Sequence, residues 1–233
     1  MFVPEDDPTV VELTEAIRIG DLERLRVLLT AHPHLATARL GSSEGETREV
    51  LHVATEWPGH FPGVQATIAA LIDAGADVDA RFAGPHRETP LHWAASSDDV
   101  LALDALLDAG ADIDAEGGVL TGGPPLDHAV IFGQWNAARR LVERGATTAL
   151  FHAAALGATA RVVELLRDRP PTQLLSSALW HACNAGQLDA ALPLLEAGAD
   201  PLWHGFDDRT PLQAARGSGN DELAALIAAY AAG

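Results

Sequence analysis

The sequence predicts an all-α solenoid of about seven stacked helix pairs with short β-hairpin fingers, some shortened or missing. Three observations predict it. The phrase DAGADVDA (Asp73–Ala80) returns 35 residues later as DAGADIDA (Asp108–Ala115), and EAGAD recurs at Glu196–Asp200. Each phrase ends an amphipathic stretch: ATIAALIDAG, LALDALLDAG and DAALPLLEAG, with NAARRLVERG as a fourth copy. Apolar residues recur there at three- and four-residue spacing, as in Leu103, Leu106 and Leu107. A second helical stretch precedes each of these.

The elements follow in order. Glu12 to Leu29, ELTEAIRIGDLERLRVLL, is a helix pair without a capping motif. Its best-formed successor is ETPLHWAASS, Glu88 to Ser97. Thr89 caps the helix, and Pro90 fills the first turn, where no amide donor is needed. Weaker copies are EVLHVAT at Glu49, PPLDHAV at Pro124, TALFHAAALG at Thr148, SALWHACNAG at Ser177 and RTPLQAARGSG at Arg209. Gly75, Gly110, Gly145 and Gly198 sit where a helix end needs a left-handed residue. Asp77, Asp112 and Asp200 read as turn and linker residues, not as metal ligands or catalysts.

Helix, turn, helix, then G-A-D and a linker, opened by TPLHWAA at Thr89–Ala95, resembles the ankyrin repeat. The resemblance covers roughly residues 9–232. An acidic lead, 1–8, would precede a single array over 9–233. Its parts are a cap pair at 9–46, repeats at 47–84, 85–120, 121–147, 148–172 and 173–206, and a second cap at 207–233. The resemblance implies β-hairpin fingers along one edge, a concave groove, and protein–protein recognition without catalysis or cofactor. One pair cannot bury its apolar face alone, so neighbours must repeat it.

Composition narrows the partners. Net charge is −18, and every cation other than histidine is arginine. That disfavours nucleic acid and anionic membranes, and suits a partner protein with a basic surface. The absence of lysine excludes a lysine Schiff base, a P-loop lysine and a kinase lysine. The acidic N-terminus does not resemble a secretory signal, and no apolar run reaches the length of a membrane span. The single Cys183 fits a reducing, cytoplasmic compartment. The arginine-only cations suit a GC-rich bacterial source.

Function is expected where the chain departs from its own repeat. An insertion between two helices brings Trp57, Pro58, His60, Phe61 and Pro62 into a stiff loop. The linkers after Gly145 and around DRPPTQLLSS are too short for fingers. The resemblance implies that the residue after the motif's histidine, and the one four further on, face the groove. These are Val53 with Trp57, Trp93 with Ser97, His128 with Phe132, His152 with Leu156, His181 with Ala185, and Ala214 with Ser218. Three successive repeats would therefore place a histidine there. The motif's bonding pair is kept at Thr89/His92 but reads as Glu49/His52, Pro124/Asp127, Thr148/Phe151, Ser177/Trp180 and Thr210/Gln213 elsewhere, so the middle and late repeats are expected to lose the standard internal bond.

Two functions are carried forward. In the first, the chain binds another protein through groove residues Trp57, Trp93, His128, Phe132, His152, Leu156 and His181. Phe82, His86, Arg87, Trp203, His204 and Phe206 would add finger contacts. In the alternative, a small organic ligand or substrate enters an aromatic-lined pocket, with His128, His152 and His181 as general acid and base. No metal or cofactor is expected.

Overall fold

The G-A-D phrase closes a helix wherever it occurs. Gly75, Gly110, Gly145 and Gly198 have φ of 99°, 93°, 99° and 95°, a region open to glycine and strained for other residues. The aspartates then fold the linkers. Asp77, Asp112 and Asp200 each accept the amide two residues on, at 3.1, 3.2 and 2.8 Å. Asp79 in turn accepts the amide of Asp112 at 3.0 Å, tying one linker to the next.

The computed structural model describes residues 1–41, 45–205 and 207–232. Fourteen α-helices among them pair as seven hairpins, and the chain divides into two compact units, Met1–Ala146 and Thr147–Gly233. The first unit holds α1 (Pro8–Ile19), α2 (Leu22–Ala31), α3 (Val50–Thr55), α4 (Val64–Asp73), α5 (Pro90–Ser96), α6 (Val100–Asp108), α7 (Pro125–Ile131) and α8 (Trp135–Glu143). First helices pack on first helices, α1 on α3 on α5 on α7, and second on second, α2 on α4 on α6 on α8. Leu51, Leu71, Leu91, Leu103, Leu106 and Leu126 are wholly buried between the layers. Each such leucine contributes about 1.5–3 kcal/mol. Ala54, Ala94, Ala95 and Ala129, equally buried, let the short first helices approach closely.

The N-terminal lead is structured. Strand β1 (Phe2–Pro4) pairs in parallel with β2 (Arg39–Gly41), which pairs antiparallel with β3 (Thr47–Arg48). Asp7 then caps α1, accepting the amide of Thr9 at 2.8 Å. The inserted loop is latched to the following repeat: the His60 amide donates to Asp99 Oδ2 at 2.6 Å, and its Nε2 meets Ser97 O at 3.0 Å.

The second unit holds α9 (Leu150–Ala155), α10 (Thr159–Leu166), α11 (Thr172–Asn184), α12 (Leu188–Glu196), α13 (Pro211–Gly217) and α14 (Asp221–Ala231). It keeps the same two layers, α9 on α11 on α13 and α10 on α12 on α14. Val162, Leu179, Leu194, Leu223 and Ile227 fill its core with a set of alanines and Cys183. Residues 167–171 link α10 to α11 directly, leaving no room for a finger. No helix among the described residues is long and apolar enough to cross a membrane.

Candidate functional site

The residue at the motif's histidine position does related work in several of the first helices. His52 Nδ1 accepts the Glu49 amide at 3.3 Å, and its Nε2 donates to Glu88 O at 3.1 Å. His92 Nδ1 accepts the Thr89 amide at 3.1 Å, and its Nε2 donates to Gly123 O at 3.1 Å. In the second unit Trp180 Nε1 donates to Arg209 O at 2.9 Å. Glu88, Gly123 and Arg209 each stand immediately before the next first helix's N-cap, Thr89, Pro124 or Thr210. One ring therefore caps its own helix or stitches it to its neighbour, and each histidine does both. Both histidines must be neutral to do so, because Nδ1 accepts. Burial holds each of them down at about 4.

This corrects the reading that later repeats lose the motif's bond. Gln213 keeps it, its Oε1 accepting the Thr210 amide at 2.8 Å. In α9 the helix begins one residue late, with Ala149 as N-cap. His152 thus takes the third position in place of Phe151, and its Nδ1 accepts the Ala149 amide at 3.0 Å. Sequence register alone placed His152 in the groove; the structure makes it a buried capping residue.

A second polar cluster lies under the fingers of the first unit, centred on Glu88. Its Oε2 accepts from Trp93 Nε1 at 2.9 Å and lies 3.0 Å from His86 Nδ1, off the line of a hydrogen bond. Its Oε1 accepts the Val119 amide at 3.2 Å and sits 3.3 Å from His128 Nε2. That nitrogen also accepts the Val119 amide, at 3.1 Å. His128 Nδ1 therefore carries the proton and donates to Ser96 Oγ at 3.0 Å, while Ser96 Oγ donates to His92 O at 2.8 Å. Burial, with His92 close by, holds His128 down at about 4, although Glu88 stands beside it. Desolvation prevails here because the Val119 amide already occupies Nε2. Rings enclose the cluster. Phe82 stacks on His86 at 4.6 Å, and Trp93 meets His52 edge-on at 4.9 Å.

Residues 86–117 match the family model of the ankyrin repeat. Among solved structures, the human ASB11 ankyrin repeat domain is 22% identical, with 92% of this chain and 96% of that chain covered at a TM-score of 0.58. The chain has the ankyrin-repeat fold. No curated protein matches it.

Within this ankyrin framework the expected site residues separate. Trp93, Phe82 and His86 join the Glu88 cluster, half-buried. Trp57 is 82% exposed and Phe132, edge-on to His128 at 5.5 Å, is 46% exposed. His128 belongs to the first unit and His181 with His152 to the second. All three were expected to face an open groove; the structure buries them, which denies a substrate access to their nitrogens. His181 packs between Phe151 and Trp180, at 5.0 and 5.1 Å, and Leu156 is half-buried. Trp203, expected as an exposed contact, packs on the second unit's core. His204 is exposed, with Nδ1 3.1 Å from an Asp208 carboxylate oxygen. Phe206 lies outside the described residues. Glu88 and Ser96 were missed. Glu88 precedes the best motif directly, yet its role depends on partners up to 40 residues downstream.

The finger of the second unit closes on Trp180. Arg209 lies 5.6 Å from its ring centroid, and a side chain at Gly205 would overlap the indole. Gly205→Ala is expected to cost about 1–3 kcal/mol through this overlap. Urea unfolding followed by circular dichroism would show it, and an unchanged midpoint would mean the finger simply moves aside.

Proposed function

We propose that this chain is a non-catalytic protein-interaction module of a reducing, cytoplasmic compartment. It takes its partner on the finger loops of its first unit, with Trp57 and Phe132 extending the contact. The observation that carries this reading is the loop over residues 116–122. Val119 and Leu120 are 48% and 57% exposed there, while the loop's base is fastened by Glu88 and His128 beneath it. Exposed apolar side chains on a preorganised support are what a recognition surface needs, because little ordering entropy is lost on binding. Of the imidazoles expected to do chemistry, His152 caps its own helix, His128 accepts the Val119 amide, and His181 packs between two rings.

Affinity capture from the native host tests the reading, with wild type run beside Leu120→Asp and Trp57→Ala. A protein held by wild type and released by Leu120→Asp is the expected result. Retention by Leu120→Asp with release by Trp57→Ala would move the contact to the inserted loop. Capture of nothing, under conditions that preserve weak complexes, would count against the module as a whole.

A further inference from the structure

The first unit's fingers line an open cleft of about 490 Å³, bordered by Arg81, His86, Arg87, Glu116, Gly117, Val119 and neighbouring loop residues. Its charge runs against the rest of the molecule. The chain carries 33 carboxylate side chains and 15 arginines, yet Arg81 and Arg87 face a single rim carboxylate, Glu116, across this cleft. Arg81 spends its donors on backbone carbonyls, Arg87 O at 3.1 Å and Glu116 O. Arg87 is exposed, and among the described residues no carboxylate oxygen lies within ion-pair distance of either guanidinium, although Asp79 is near enough to feel the charge of Arg81. Several other arginines are matched: Arg144 reaches Asp104 and Asp108 at 2.9 and 2.7 Å, and Arg48 reaches Glu5 and Glu56 at 3.4 Å each. The nearest buried carboxylate, Glu88, is already committed to Trp93 and Val119.

The cleft's walls are fixed as well as charged. Arg87 N donates to Gly117 O at 3.0 Å, and Gly117 and Gly118 donate to Gly122 O and Gly123 O at 2.8 and 3.0 Å. Gly117 has φ of 128°, and a Cβ there would strike the Arg87 carbonyl. The glycines thus let two finger backbones close together without adding side chains of their own to the cleft. A planar guanidinium projecting from such a fixed backbone matches a carboxylate in size and in two-pronged geometry.

We propose that this finger cleft receives a carboxylate side chain, an aspartate or glutamate of the partner protein, with Arg87 as its principal ligand and Arg81 as a second cation behind it. This rests on the protein-recognition reading above. The surrounding negative charge then selects the context: an acidic residue set within a neutral or basic stretch enters, and a long acidic run is repelled.

The test is an NMR titration of isotope-labelled protein with acetylated, amidated glutamate. Saturable shifts of the Arg87 side-chain Nε–Hε and the Gly118 and Val119 amides are expected. They should be absent with the matching glutamine derivative and lost in Arg87→Gln, whose exposed site leaves folding intact. No saturable shift, shifts that persist in Arg87→Gln, or shifts reproduced by sodium chloride at equal ionic strength would each overturn the proposal. Shifts with inorganic phosphate alone would overturn it too, by making this a phosphate site. The probe needs no partner protein. A working titration beside an empty capture would therefore sink only the recognition reading, and the reverse would sink only the carboxylate cleft.

Discussion

Glu88→Ala is expected to destabilise the first unit by about 2–3 kcal/mol, the cost of stranding the Trp93 indole and opening space beneath the loop. Its carboxylate is 5% exposed as a residue and accepts from the indole of Trp93 and the amide of Val119. Alanine leaves the indole without an acceptor and opens space beneath the loop. Glu88→Gln should cost about half as much, since one carbonyl oxygen remains for one of the two donors. Urea unfolding of both variants, with the slope checked for constancy, supplies the comparison. A loss below about 0.5 kcal/mol for alanine, the level of an ordinary surface change, would mean that water replaces the carboxylate and that the cluster does not brace the finger.

Acid is expected to unfold the first unit steeply, well above the pH at which carboxylates alone would do it. His52, His92 and His128 are each held at about 4, against 6.5 when free. Between those values the unfolded chain binds protons that the folded chain refuses. Their contribution is fully present above pH 6.5 and is lost as pH falls toward 4. Three such groups give a slope of about 3–4 kcal/mol per pH unit near pH 5. Glu49 and Asp79, raised chiefly by burial, act in the opposite direction at the lower end and soften the fall. The protein supplies its own control, because Gln213 performs the capping without titrating. His92→Gln should keep the Thr89 cap and reduce the slope by about a third, as one of three protons drops out. Stability curves collected from pH 4.5 to 7.5 would show this; an unchanged slope would place the acid lability outside these rings.

Helix pairs, their order and the left-handed glycines were legible because they depend on local spacing. The phrase from Asp73 to Ala80 contains its own turn chemistry, and Asp77 does what its position implies. The depth of a side chain was not legible in the same way. His128 was expected to face the groove, but the loop from Gly117 to Gly123 folds over it and its Nε2 accepts the Val119 amide. Helical periodicity fixes a direction around an axis and is silent about what a distant loop lays over it. The fate of His152 turned on a smaller matter. A helix that begins at Leu150, one residue late, converts a groove position into a capping one. Trp180 shows the converse. A tryptophan at the motif's histidine position looks like drift, yet its single N–H reaches the same carbonyl of the next repeat that histidine reaches elsewhere.

Cys183 is wholly enclosed in α11, and burial pushes its thiol up to about 12. In the closed fold it therefore presents neither a thiolate nor a path to a reagent. Any covalent mark that accumulates on it is a tally of the moments when the second unit has come open. The molecule thus contains one native position at which breathing of that unit is written irreversibly, without a dye, a spin label or an engineered residue.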